Sequence, residues 1–206
     1  MVNTMEYVEA VMSGKPTQTC SSLKVLDIGC GDGSRGKKQF GDCQLTQIDR
    51  QTGWDITKHG LPKGPWDILF AWHIIEHLED PDMLLDMCKK EMTADSLLIL
   101  GTPNLTAWFN RILFLFGYLP HSYEVSYRHN LGKPFGWNKE EVGGHLRVMT
   151  IPVLIDLLLL HGFKDIKVKA ETSNYPTNWI IKSIDWILTH INRNLCSSFV
   201  VTCRYY

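Results

Sequence analysis

An acid followed by three glycines carries the first chemical signal in this chain of 206 residues. In Val25-Leu26-Asp27-Ile28-Gly29-Cys30-Gly31-Asp32-Gly33, a short apolar run ends in an acid and breaks into glycines one residue apart. Glycine accepts positive φ, and without a Cβ it lets a ligand lie against bare backbone. Asp49 closes a second, weaker apolar run, Leu45 to Ile48, about twenty residues past the first glycine. A carboxylate so placed can accept from both hydroxyls of a ribose, which makes nucleotide-cofactor binding the chemistry to expect. A dinucleotide wants G-x-G-x-x-G and a helix start aimed at its pyrophosphate. Here Gly33 arrives one residue early and Ser34 stands where that pattern wants glycine, which disfavours a dinucleotide-dependent oxidoreductase.

A second constellation is His73-Ile74-Ile75-Glu76-His77. It spells H-x-x-E-H, an inverted zinc-protease pattern, and on a helix the two histidines would share a face. It directly follows the apolar run Trp66 to Trp72, however, and no obvious third ligand is paired with it, so no metal is expected. A third group is His121, Tyr123, Glu124, Tyr127, Arg128, His129 and His145. A neutral imidazole can take a proton from an acceptor hydroxyl or amine near its working pH. For any one of these residues, a solvated loop or a hydrogen-bonded structural histidine is the plainer account.

These residues need elements to position them. Trp66 to Trp72, broken only by Asp67, reads as a strand covered on both faces, and so does Ser96 to Gly101. Asp80-Pro81 sets an N-cap and a first-turn proline for a helix whose stripe is Leu84, Leu85, Cys88 and Met92. Thr150 can cap a helix in which Ile151, Leu154, Ile155, Leu158 and Leu159 share a face and Gly162 marks the end. Ile166, Val168 and Ala170 alternate as a strand, as do Phe199, Val201 and Cys203. Strand and helix alternation predicts an α/β fold: a doubly wound, mostly parallel sheet in a three-layer αβα sandwich. Residues 1–22 read as a short leading helix and linker, and Ser34 to Gly41 leaves room only for a short helix.

The length suits one sizeable core. A net charge of −1 with scattered Lys and Arg argues against nucleic-acid binding, which needs a basic face. The six cysteines show no C-x-x-C pairing, so reduced thiols in a cytoplasmic protein are expected. The N-terminus shows no signal-type apolar core, and no run reaches the ~20 apolar residues of a membrane span.

Leu26 to Gly33 resembles motif I of the class I S-adenosylmethionine-dependent methyltransferases (type 11-like). Trp66 to Pro81 resembles that family's fourth strand and following helix, Ser96 to Asn104 its fifth strand, and Gly144-His145-Leu146-Arg147 a turn before its next helix. The resemblance implies a Rossmann-like methyltransferase domain over 23–206, with an antiparallel last strand and 105–149 inserted as the acceptor side. It implies S-adenosylmethionine as cofactor, held by Asp27, Gly29, Cys30, Gly31, Gly33, Asp49, Arg50, Asp55, Ile56, Trp72 and His73. His145, in the matched turn, and His73 are the catalytic candidates. Residues 50–65 are too few for the family's usual helix and full third strand, so that edge should be short. A protein that keeps the fold and binds the cofactor without turnover is the alternative.

Two apolar segments bear on the acceptor. Residues 105–119 carry one charge, Arg111, among aromatic and aliphatic side chains; residues 179–195 repeat Ile180, Ile184, Ile187 and Ile191 at helical spacing. Packing on each other or on a second subunit is the plainer account. The sharper one is an apolar cover near the cofactor's methyl end, with a small-molecule, apolar or lipid-like acceptor and a peripheral membrane contact.

Overall fold

The computed structural model describes residues 8, 21–134, 142–172 and 179–206. Six strands form one sheet: β1 (Lys24–Ile28), β2 (Gln44–Ile48), β3 (Ile68–Trp72), β4 (Leu97–Pro103), β5 (Lys164–Glu171) and β6 (Ser198–Arg204). Their order is β2-β1-β3-β4-β6-β5. The first four run parallel, and β6 enters antiparallel between β4 and β5.

Alternation along each strand divides the core in two. Leu26, Ile28, Leu69, Ala71, Leu98, Leu100, Phe199 and Val201 face one layer, with Leu84, Leu85 and Cys88 of α3 (Pro81–Glu91) and Leu154 and Leu158 of α5 (Ile151–Leu160). Val25, Ile68, Phe70, Leu97, Ile99 and Val200 face the other, with Phe40 of α1 (Ser34–Phe40) and Val8. Burial on both faces explains why the central strands read as unbroken apolar runs. It also establishes the three-layer, Rossmann-like sandwich expected from the sequence.

Local signals act where they were read. The Asp80 carboxylate accepts from the Met83 N–H at 3.1 Å with Pro81 in the first turn, and the Thr150 hydroxyl accepts from Val153 at 3.3 Å. Gly162 takes φ 82, and the Gly162 and Phe163 N–H groups donate to Leu159 and Leu158, a left-handed helix close. Between Ile48 and Ile68 there is no strand, only a 3-10 turn (Arg50–Thr52) and the single-turn helix α2 (Ile56–His59). The sheet edge is therefore β2, as the short segment implied.

The insertion closes on itself. Asn104 bridges Met149, and the Leu105 N–H donates to the Met149 carbonyl at 2.9 Å, so 105–149 leaves and rejoins the fold at one place. Within it lies α4 (Trp108–Leu115); α6 (Trp179–Ile191) lies between β5 and β6. Of the leading segment 1–22 only Val8, Ser21 and Ser22 are described; Val8 is helical and buried, and the rest of that expectation lies outside the described residues. Cys30, Cys88, Cys196 and Cys203 are free thiols, but Cys43 is disulfide-bonded, which corrects the expectation of reduced cysteines throughout.

Candidate cofactor and acceptor site

β1 ends at Ile28, and the chain reverses through Gly29 (φ 70), Gly31 (φ 56) and Gly33 (φ 74), all in the left-handed region that glycine tolerates. The Gly29 and Cys30 N–H groups donate to the Ile48 carbonyl, which ties the turn to the end of β2. Asp49 follows at once. One of its oxygens accepts from the Gly31 N–H at 2.9 Å and the other from Gln51 at 2.7 Å, so the carboxylate is fixed beside the turn. A Cβ built on Gly31 meets no protein atom within 4 Å, so the backbone there borders open space.

That space is a cleft of about 900 Å³ at the carboxyl ends of the parallel strands. Gly29, Gly31, Asp49, Arg50, Asp55, Ile56 and His73 line it. Asp55 accepts from the Thr57 hydroxyl (2.7 Å) and N–H (3.0 Å), which with Arg50 and Lys58 nearby hold its carboxyl below the usual range.

Four expected cofactor contacts, Asp27, Cys30, Gly33 and Trp72, do not line the cleft. Asp27 is buried beneath the turn, where its carboxylate accepts from the Gln47 side chain at 2.9 Å and crowds Gly36. Burial raises its pKa, partly offset by the Gln47 bond. Its place is structural: it braces the glycine turn against α1. Trp72 ends β3 on the opposite layer from the cleft, against Phe70, with the Arg35 guanidinium 4.0 Å from its ring centre. Strand alternation decides this, because Ile68, Phe70 and Trp72 share a face. Cys30 and Gly33 shape the turn but do not line the cleft.

The acceptor side is built on the loop after β3. His73 lines the cleft with φ 53, uncommon for a non-glycine residue. Its Nδ1 lies 2.9 Å from Glu76 Oε1, and the other Glu76 oxygen accepts from the Thr102 hydroxyl at 3.0 Å. Nδ1–H donation to the carboxylate leaves Nε2 as the free acceptor. Glu76 is fully buried, and its carbonyl accepts from the Leu146 and Arg147 N–H groups, joining the end of the insertion to this loop. His77 Nδ1 lies 3.2 Å from the Gly144 carbonyl, and its ring sits 4.7 Å from that of His145.

His145 itself is not in the cleft wall; Gly143, Gly144 and Leu146 are. Burial, with His77 beside it, pushes its pKa down. Glu124, which the sequence offered only as one of several loop residues, clamps this turn. Its carboxylate accepts from the Gly143, Gly144 and His145 N–H groups at 2.8, 2.6 and 3.0 Å. Burial raises the Glu124 pKa, but these bonds and the nearby His145 outweigh it and hold the carboxyl below its ordinary value. Gln47 was also missed; it holds both Asp27 and the Gly33 carbonyl. The sequence carries no signal for either clamp, because their partners lie 14 or more residues away.

The fold supplies what H-x-x-E-H lacked in sequence. Among the described residues, Glu76, His77 and His145 each bring one ligand-type atom within 4.8 Å of the others. Both Glu76 oxygens are already engaged by His73 and Thr102 and His77 Nδ1 faces the Gly144 carbonyl, while His145 Nδ1 is buried without a hydrogen-bond partner.

A twisted α/β sheet with left-handed glycines and a ribose-ready carboxylate at its switch point defines a nucleotide-cofactor fold of the Rossmann-like class. A family model described as a methyltransferase domain matches residues 12–168. The chain belongs to the class I S-adenosylmethionine-dependent methyltransferase family, and its cofactor is the family's, S-adenosylmethionine. The fold is shared with a SAM-dependent methyltransferase from Archaeoglobus fulgidus (18% identity, 98% of this chain and 94% of that one, TM-score 0.56). It is also shared with a Haemonchus contortus phosphoethanolamine N-methyltransferase 2 in complex with phosphomonomethylethanolamine and S-adenosylhomocysteine (12%, 98% of this chain and 52% of that one, TM-score 0.53). The cyclase SpnF is similar too (12%, 98% and 80%, TM-score 0.54). A comparison with curated proteins finds no match.

Proposed function

We propose that this enzyme transfers a methyl group from S-adenosylmethionine to a small apolar or lipid-like acceptor. The domain would span 23–206, with 105–149 as its acceptor side. The observation that carries the reading is the fixed Asp49 carboxylate beside the bare backbone of Gly31 in the cleft. Asp49 would take the ribose hydroxyls, and Asp55 and Ile56 the adenine end. The cofactor supplies a methyl already activated on a sulfonium, so the protein contributes positioning, desolvation and at most one base.

For the base, His73 is favoured over His145, because it is on the cleft wall and Glu76 orients it with Nε2 left to accept a proton. No resident metal is needed. The apolar α4 and α6 would meet a second surface, a membrane or another copy of the chain, while none of their residues lines the cleft. Four free thiols against one disulfide favour a reducing, cytoplasmic setting, and no described helix is long and apolar enough to cross a membrane. Binding without turnover is the second reading; the cyclase SpnF, similar in fold though named for another reaction, is the observation in its favour.

The test is transfer of label from methyl-labelled S-adenosylmethionine to a fractionated cell extract. Label should appear in organic-extractable or other small molecules. Label confined to protein or nucleic acid would overturn the acceptor class, and cofactor binding with no transfer would favour the second reading.

A further inference from the structure

Two helices at the carboxyl rim of the sheet bury polar side chains and leave most of their apolar ones exposed. α6 buries Asp185 (2% exposed), whose carboxylate accepts from Trp108 Nε1 at 2.8 Å and from the Ser197 hydroxyl at 2.9 Å. Its apolar side chains face outward instead: Trp179 is 74% and Ile191 72% exposed, and Ile180, Ile184, Trp186 and Ile187 are exposed with them. α4 shares part of this pattern, with Leu113 buried beside a polar residue. It buries Asn110, which donates to the Asn104 and Leu105 carbonyls and accepts from the His121 N–H. Leu115 (81%) and Phe116 (70%) then point to solvent. A surface helix of a soluble protein shows the reverse pattern, and contiguous apolar surface of this kind marks a docking site.

Position and charge identify the occupant. β4 ends at Pro103 and β5 at Glu171, both opposite Ser198 of β6, so α4 and α6 join the sheet at the rim where Gly31 and Asp49 open the cleft. The charged residues of 105–119 and 179–195 are Arg111, Lys182, Asp185 and Arg193. Asp185 is buried and the other three are exposed, so the outward charge of both segments is wholly cationic. A twofold copy would bring the same patch to both sides of the contact and offer these cations no exposed acid from either segment to pair with. Anionic lipid headgroups complement each cation, while Trp179 and Trp186 suit the interface between headgroup and acyl chain.

We propose that α4 and α6 dock this enzyme on an anionic lipid bilayer, lying in the headgroup plane with the carboxyl rim turned to the lipid. The acceptor then comes from the membrane. This deepens the apolar-acceptor reading and rests on it for the reaction, though not for the docking. Interfacial helices of this kind combine an embedded apolar face with basic residues.

The experiment is co-sedimentation with extruded vesicles of phosphatidylcholine, alone or mixed with phosphatidylglycerol, alongside calorimetric S-adenosylmethionine binding. The protein should bind the phosphatidylglycerol vesicles, roughly ten- to hundredfold more weakly without that lipid or at high salt. Leu115→Ser with Phe116→Ser, and separately Lys182→Glu with Arg193→Glu, should each reduce vesicle binding about as much and leave cofactor affinity within a fewfold. If the apolar variant does not fold, the charge variant decides alone. No binding to phosphatidylglycerol vesicles, or undiminished binding by the charge variant, overturns the proposal. So does light scattering that shows a dimer which the Leu115/Phe116 variant splits. Vesicle binding by a protein that takes no S-adenosylmethionine supports docking and refutes the transfer reading, which keeps the two failures apart.

Discussion

His73 holds a left-handed backbone that costs a non-glycine residue about 1–3 kcal/mol, at the one place where its ring meets both the cleft and Glu76. That expense is understandable if the imidazole works on the acceptor. With an identified acceptor, His73→Gln should lower turnover about 10²- to 10⁴-fold while S-adenosylmethionine affinity stays within a fewfold. Unchanged turnover would leave the site without a base. The glycines separate into two roles. Both alanines carry the strain of a left-handed backbone, but Gly31→Ala otherwise meets open space and should chiefly weaken cofactor binding, whereas Gly33→Ala also drives a Cβ to 2.9 Å from the Gln47 amide and should lower the thermal midpoint further. Comparing melting curves and cofactor titrations of the two variants tests this. The glycine turn and the acid at the next strand end were legible as local features, because each is marked by residue types at a strand's end. Gln47, Thr102 and Glu124 were not, because each acts on a partner that only the fold brings near. Trp72 was misplaced for a related reason: adjacent strand residues point to opposite layers, and motif matching ignores that.

At the scale of elements, caps and alternation marked the helices and strands that form, and the short 50–65 segment implied the short sheet edge, where no further strand follows β2. Which way α6 faces was not legible. Its isoleucine stripe reads as core, but the helix turns Asp185 and Thr189 inward, with Asp185 accepting from Trp108 and Ser197. Asp185→Ala leaves both donors without their acceptor, a loss of about 1–3 kcal/mol that thermal unfolding should register. An unchanged midpoint would mean that α6 is not held by this contact. The clamp of Glu124 on residues 143–145 adds a pH dependence. Glu124 and His145 are both held below their ordinary pKa values. A group depressed on folding stabilises fully above its unfolded pKa and loses that contribution as pH falls toward the folded value. Stability should therefore decline first below about pH 6.5 through His145, then further in the carboxylate range through Glu124. Glu124→Gln should flatten the second step, and denaturant titrations between neutral and acid pH check both.

For the whole molecule, one sheet places two surfaces on one rim: a cleft for a charged nucleoside cofactor, and an apolar face whose exposed charges are basic. The overall charge of −1 gave no hint of this division, because net charge averages over faces. In the cluster of Glu76, His77 and His145 both Glu76 oxygens are committed to His73 and Thr102, so protein purified without a metal-affinity tag should hold less than one zinc per chain by elemental analysis; one zinc, lost in His77→Ala, would contradict that. The central claim is that Asp49 and the glycine turn bind S-adenosylmethionine, and calorimetry tests it most directly. Titration should give one site per chain for S-adenosylmethionine and for S-adenosylhomocysteine, weakened about ten- to hundredfold in a folded Asp49→Ala protein, since charge-assisted bonds to a ribose contribute about 1.5–3 kcal/mol. Unchanged affinity in Asp49→Ala, or no heat of binding in the parent protein, would contradict the account.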